Sequence, residues 1–232
     1  MRGVLSRSDP HASYTQALDT FDSRCERLWW ELYGRGHRRR VSLPMEHGKV
    51  AHAARAAVGR AARRSKDGLG VDDVERVLTR VARDLRGMGV FHQLARGLHV
   101  LAEGANARRE GVLAVEQEIS VQMLVRWGPR RSLEWRGSLV GRPDEICLTE
   151  RGVLQIREAK LRGKVPRRGE LEESPQTSVY HGLVLRAVDE GLLKVPRDRW
   201  NGRVEEVWES LLHGVEVRAE LDPQHAERTW RY

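Results

Sequence analysis

Between Ser13 and Tyr33 the apolar residues Leu18, Phe21, Cys25, Leu28, Trp29 and Leu32 recur at three- and four-residue spacing, which predicts an amphipathic helix. The alanine- and arginine-rich stretch from Met45 to Arg64 has no internal proline and is predicted to be helical throughout. A third helix starts near Val71, where Asp72 and Asp73 suit the positive end of a helix dipole. Val74, Val77, Leu78, Val81 and Leu85 form its buried stripe, and Gly87 and Gly89 end it. A fourth runs from about Val90 to Arg109 with Phe91, Leu94, Leu98 and Leu101 on one side. After Gly111 the period shortens towards two. VLAVEQEISVQMLVRW and SLEWRGSLV, joined by GPRR, predict an antiparallel hairpin, and Gly137 to Lys160 predicts two further short strands around a turn. Pro175 suits the first turn of another helix, and RVEEVWESLLHG with VEVRAEL reads as a hairpin or as a strand and short helix. The expected order is a flexible lead-in over 1–12, a helical part over 13–110, a mixed α/β core over 111–222 and a polar tail over 223–232, together one structural domain.

The chemistry concentrates in the core. On a strand through VLQIREAK the side chains of Leu154, Ile156, Glu158 and Lys160 share one face, which begins apolar and finishes charged. Asp144 follows Gly141 and Pro143 at a turn, where the backbone can deliver a carboxylate towards the charged end of that strand. Two carboxylates and an ammonium would converge there. Such a cluster suits a hard divalent cation with oxygen ligands, with the lysine beside a water and a phosphate. With five lysines and 33 acidic residues among 232, an acid-x-Lys spacing arises about 0.7 times by chance, so only its company gives it meaning.

That company is Gly141-x-x-Asp144 upstream, reading GRPD, then Glu158-Ala159-Lys160, then Gln176-x-x-x-Tyr180, reading QTSVY. In this order the motifs resemble the PD-(D/E)XK nuclease superfamily, and within it the RecB-like exonuclease branch, related to CRISPR-associated RecB-like nucleases. The likeness spans about residues 14–190 and includes Gly48-Lys49-Val50-Ala51-His52, which matches a G-x-x-x-H motif. It implies an α/β fold of the restriction-endonuclease-like kind, a central mixed sheet flanked by helices and preceded by a helical half. It implies Mg2+ or Mn2+ held by His52, Asp144, Glu158 and the carbonyl of Ala159, with Lys160 aligning the attacking water. Gln176 and Tyr180 would bind phosphate oxygens or position the lysine. Glu118, on the first strand, would lie near the metal. In iron-sulfur members three cysteines follow the QxxxY helix; this chain has none after Cys147, so no cluster is expected.

Charge adds a partner. The formal net charge is +8 and the pI about 10.1, which favours a polyanion. Of the 41 basic residues only five are lysine, an arginine bias that base composition alone also produces. The loop after Lys160 carries Arg162, Lys164, Arg167 and Arg168 and is placed to grip a phosphate backbone; Arg35 to Arg40 form a second basic loop. Cys25 and Cys147 read as plain thiols. No apolar run approaches membrane-spanning length and no signal peptide is evident, so a cytoplasmic, membrane-free protein is expected. No nucleotide-binding loop occurs, so a helicase, if used, would be a separate partner subunit. The expected function is a metal-dependent deoxyribonuclease acting on single-stranded or end-containing DNA. The rival is a catalytically silent DNA-binding or scaffolding subunit. A basic helical RNA-binding protein is a third reading, and it predicts no sheet under residues 112–160.

Overall fold

The computed structural model describes residues 11–13, 43–108, 111–127 and 133–220. The predicted helix over 13–33, the basic loop over 35–40, Cys25 and the tail after 222 lie outside these residues. Within them, the lead-in ends in a short strand, β1 (His11–Ser13). Three helices follow, α1 (Leu43–Arg64), α2 (Val71–Arg86) and α3 (Phe91–Arg108), close to the predicted spans. At the start of α2 the Asp73 carboxylate accepts a hydrogen bond from the Gly70 amide at 3.0 Å, satisfying a donor that the helix leaves open. Val74, Leu78 and Leu85 are buried on its inner stripe, as the periodicity predicts, with Ala82 beside them.

The strands are β2 (Val112–Val115), β3 (Ile119–Trp127), β4 (Leu133–Gly141), β5 (Glu145–Leu148), β6 (Leu154–Lys160), β7 (Val204–Ser210) and β8 (Val215–Glu220). Helices α4 (Arg168–Glu172) and α5 (Pro175–Asp189) connect β6 to β7. One sheet has the order β2-β5-β6-β7-β8, with β6 and β7 parallel and the other pairs antiparallel; a smaller sheet has the order β1-β4-β3. The molecule is thus mixed α/β, and the sheet under residues 112–160 removes the purely helical reading.

One strand departs from expectation. The run VLAVEQEISVQMLVRW is not continuous: β2 pairs with β5 in the larger sheet, while β3 pairs with β4 in the smaller. The break falls at Glu116, whose φ of 50° lies in the left-handed region that few residues other than glycine adopt. This turn sends the two halves of the run to different sheets.

Strand β6 lies between two cores. Ala51, Ala54 and Val58 of α1, with Leu78 and Leu85 of α2 and Leu94 and Leu98 of α3, pack over Ala159. On the opposite face Leu183, Val184 and Ala187 of α5 pack on Leu154 and Ile156, and also on Val121 and Leu139 of the smaller sheet. Burial on both faces is what a parallel neighbour demands of a central strand. Only the carboxyl-terminal end of β6 opens outwards, at Lys160.

Candidate active site

The face of β6 turns from apolar to charged as the alternation predicts. Leu154 and Ile156 are fully buried; Glu158 and Lys160 follow at the strand end. Gln176, in the first turn of α5, joins them: its Nε2 donates to Glu158 Oε2 at 2.8 Å, and its Oε1 accepts from Lys160 Nζ at 2.7 Å. Lys160 Nζ lies 3.6 Å from Glu158 Oε2 and 4.8 Å above the Trp208 ring. The glutamine therefore ties acid and lysine together rather than pointing at solvent. One helical turn on, the Tyr180 hydroxyl donates to the Arg142 carbonyl at 3.4 Å, and burial pushes its pKa up.

Asp144 is held by a reciprocal pair of bonds. Its amide donates to Glu158 Oε1 at 3.2 Å, and its Oδ2 accepts from the Ala159 amide at 2.7 Å. Close packing behind the turn explains the glycine of GRPD. A Cβ on Gly141 would sit 2.4 Å from Leu183 Cδ2 and 3.0 Å from Tyr180 Cε1. From the other side α1 brings His52, whose Nδ1 lies 3.0 Å from Asp144 Oδ1. Burial disfavours the imidazolium, but the bond to Asp144 and the charges of Asp144 and Glu158 outweigh it and raise the His52 pKa. Glu158 moves the same way for the opposite reason: burial, then the Asp144 charge, raise its pKa to about 7 against the pull of Lys160.

The acid that completes this corner is Glu116. Ligand atoms of His52, Glu116 and Asp144 all lie within 4.8 Å of one another. The left-handed turn at Glu116 places it there, and its amide donates to the Asp144 carbonyl at 3.0 Å. Arg142 steadies it, with Nε 2.9 Å from the Glu116 carbonyl and 3.3 Å from Oε2. Glu118, the acid expected near the metal, is exposed outside this group. The two share a face on an unbroken strand, but the turn between β2 and β3 cancels that alternation. Glu158, though expected as a ligand, has its oxygens engaged by the Asp144 amide and Gln176. Ala159 contributes its amide to Asp144 and its side chain to the core.

The loop after Lys160 is less open than its sequence suggests. Arg162 pairs with Glu170 at 3.1 Å and lies over the Trp208 ring, and Arg168 pairs with Glu172 at 2.7 Å. Lys164 and Arg167 are exposed.

Beneath the site lies an ionic cluster that alternation and motif spacing did not signal. Arg55 of α1 reaches Glu209 with Nε at 2.7 Å and Nη2 at 2.8 Å, and Glu145 with Nη1 at 3.0 Å. Arg157 bonds Glu209 at 2.9 Å and also contacts Glu216, and Arg108 lies 3.2 Å from Glu216. Glu216 also takes the exposed Arg218 at 2.5 Å, so each of the three glutamates is held by at least two arginines. Burial opposes ionisation of Glu209, yet Arg55 and Arg157 hold its pKa well below the usual carboxylate range. A further acid, Glu206, is fully buried on the opposite face, beside Ile156, with no hydrogen-bond partner among the described residues.

The open side of the site is a cleft of about 610 Å³, walled by Gly48, His52 and Ala56 of α1, by Glu116 and by Arg142 and Asp144. Among the described residues no helix is long and apolar enough to cross a membrane.

No protein-family model matches the chain, and no curated protein is significantly similar to it. Among solved structures, the crystal structure of SSO0001 aligns at 12% identity and a TM-score of 0.28, covering 78% of this chain and 82% of that one. A likeness of that size carries no argument about fold or activity, so the reading of the site rests on its own geometry.

Proposed function

We propose that the chain is a metal-dependent nuclease that hydrolyses phosphodiester bonds in DNA, built on a restriction-endonuclease-like core. The observation that carries this is the meeting of His52, Glu116 and Asp144 beside a Glu158–Gln176–Lys160 relay at the open end of β6. One imidazole nitrogen and two carboxylates at mutual reach suit Mg2+ or Mn2+. His52, Glu116 and Asp144 would hold such a cation, which would neutralise charge at a phosphate and make water more acidic.

The protein's own groups do the positioning. Gln176 holds the Lys160 ammonium at the carboxyl-terminal end of β6, from which it would meet negative charge building on phosphate oxygens. Glu158, with its oxygens taken up by the Asp144 amide and by Gln176, fixes the positions of Asp144 and of the glutamine that holds the lysine. Arg142, mostly exposed at the rim and braced by Glu116, is available to a second phosphate oxygen.

End-labelled single-stranded, linear duplex and closed circular DNA, incubated with Mg2+, Mn2+ or EDTA, test the reading alongside Lys160→Ala. Metal-dependent loss of linear but not circular DNA, absent in the variant, is expected of an exonuclease run by this site. Tight binding with no cleavage of any substrate would instead identify a silent DNA-binding subunit.

A further inference from the structure

Beyond the catalytic cleft, α1 carries a stripe that the proposed chemistry does not use. Lys49, Ala53, Ala56, Arg60 and Arg63 or Arg64 follow one another at three- or four-residue steps and so lie along one side of the helix. The middle of the stripe, next to His52, is small: Ala53 and Ala56 flank it, and a Cβ on Gly48 would meet nothing within 4 Å. Its ends are cationic. Arg60 lines the catalytic cleft and also a second cleft of about 410 Å³, so the two adjoin. The second cleft is lined by Arg60, Arg63 and Arg64 on the helix and by Ala114, Val115 and Gln117 across from it, with no acid. None of these three arginines forms an ion pair among the described residues, whereas the exposed Arg162, Arg168 and Arg186 each hold a glutamate. Three guanidiniums lining one concavity without a counter-charge concentrate positive potential there.

We infer that this groove is the track of a single polynucleotide strand, its sugar–phosphate backbone running from the cleft at His52 along α1 and over Arg60, Arg63 and Arg64. The inference rests on the nuclease reading for its choice of ligand. Guanidinium forks suit phosphate oxygens, and the small residues beside His52 let a backbone approach the helix closely. From His52 to Arg64 the helix rises about 18 Å, the length of roughly five stacked nucleotides. The small mid-section leaves no long side chain in the strand's way. The same placement makes the paired Arg162 and Arg168 bystanders.

The test is fluorescence anisotropy of a labelled 12-nucleotide single strand with the full chain carrying Lys160→Ala, so that the strand survives, across a range of KCl concentrations. Adding Arg60→Gln, Arg63→Gln and Arg64→Gln is expected to weaken binding at least tenfold near 0.1 M salt. It should also flatten the slope of log K against log salt by about 2, the value for three lost phosphate contacts on a single strand. Arg80, Arg83 and Arg86 are equally exposed on α2 and line neither cleft. Their triple change to Gln controls for net charge and is expected to alter affinity less than twofold. Equal losses in the two triple variants, an unchanged slope, or no binding by the parent chain would overturn the track. Cleavage by the wild-type chain is scored separately. Arginine-dependent binding without cleavage would sink the nuclease and keep the track; metal-dependent cleavage with an unchanged slope would do the reverse.

Discussion

At the scale of single residues, Glu206 is the group most at odds with its surroundings. Burial raises its carboxyl pKa well above the ordinary 4.5, the Glu158 charge adds to the rise, and Lys160 and the Trp208 indole oppose it. Neither the carboxyl nor the indole N–H reaches hydrogen-bond geometry. Between the unfolded value and the raised folded value the native state keeps a proton that the unfolded chain has lost, so stability falls as pH rises, by about 1.4 kcal/mol per unit. Glu206→Gln removes that loss. Its melting temperature is expected to exceed that of wild type by more at pH 8 than at pH 5, as read by thermal denaturation; an equal gain at both would place the raised pKa in doubt. Glu116 shows the converse at this scale, an acid in an unfavourable left-handed backbone whose reward is contact with His52 and Asp144.

At the scale of elements, α1 is positioned by Arg55. It lies one turn after His52, and it grips Glu209 on β7 and Glu145, the neighbour of Asp144. The clamp that docks the helix therefore also sets the distance from His52 to Asp144. Arg55→Met leaves buried carboxylates short of a partner and is expected to cost about 3–5 kcal/mol in urea denaturation. Arg55→Lys cannot fork to both acids, and should recover only part of that stability. Full recovery with lysine would mean that charge alone holds the helix. Two glycines make a sharper comparison. A Cβ on Gly97 of α3 would fall 1.9 Å from the Leu211 carbonyl oxygen, a backbone atom that cannot step aside, whereas one on Gly48 of α1 meets nothing. Gly97→Ala is expected to destabilise by about 1–3 kcal/mol, and Gly48→Ala to stabilise by up to about 1 kcal/mol. Matching midpoints for the two variants would contradict the packing described.

At the scale of the whole molecule, the site is assembled from α1, the β2–β3 bend, the β4–β5 turn, the end of β6 and the start of α5. A cation bound only when these parts are together must stabilise the fold, by about 2.7 kcal/mol at a hundred times its Kd. Mn2+ is expected to raise the melting temperature of wild type and to lose that effect in His52→Ala and in Glu116→Gln. Glu118→Gln should respond as wild type does, because Glu118 faces solvent. A response abolished by Glu118→Gln and kept by Glu116→Gln would reverse the assignment of the two acids.

The sequence by itself determined the features set by local period. Helix-favouring composition without proline located α1, the 3.6-residue repeats located α2 and α3, and the two-residue alternation put Leu154, Ile156, Glu158 and Lys160 on one face of β6. The turn chemistry of GRPD placed Asp144 near that face's charged end and the proline marked the start of α5, whereas Gln176 beside Lys160 was implied only by the motif resemblance. Only the tertiary structure decided which first-strand acid enters the site. The motif resemblance pointed to Glu118, but one left-handed residue brings in Glu116 instead, and nothing local marks Glu116 as the residue that turns. The ionic cluster was equally hidden: Arg157 meets Glu209 only when β6 and β7 pair across the intervening helices, and Arg55 and Arg108 join them only when α1 and α3 close over the sheet. Likewise, which arginines are neutralised and which stay open depends on neighbours in space, and composition records only their sum.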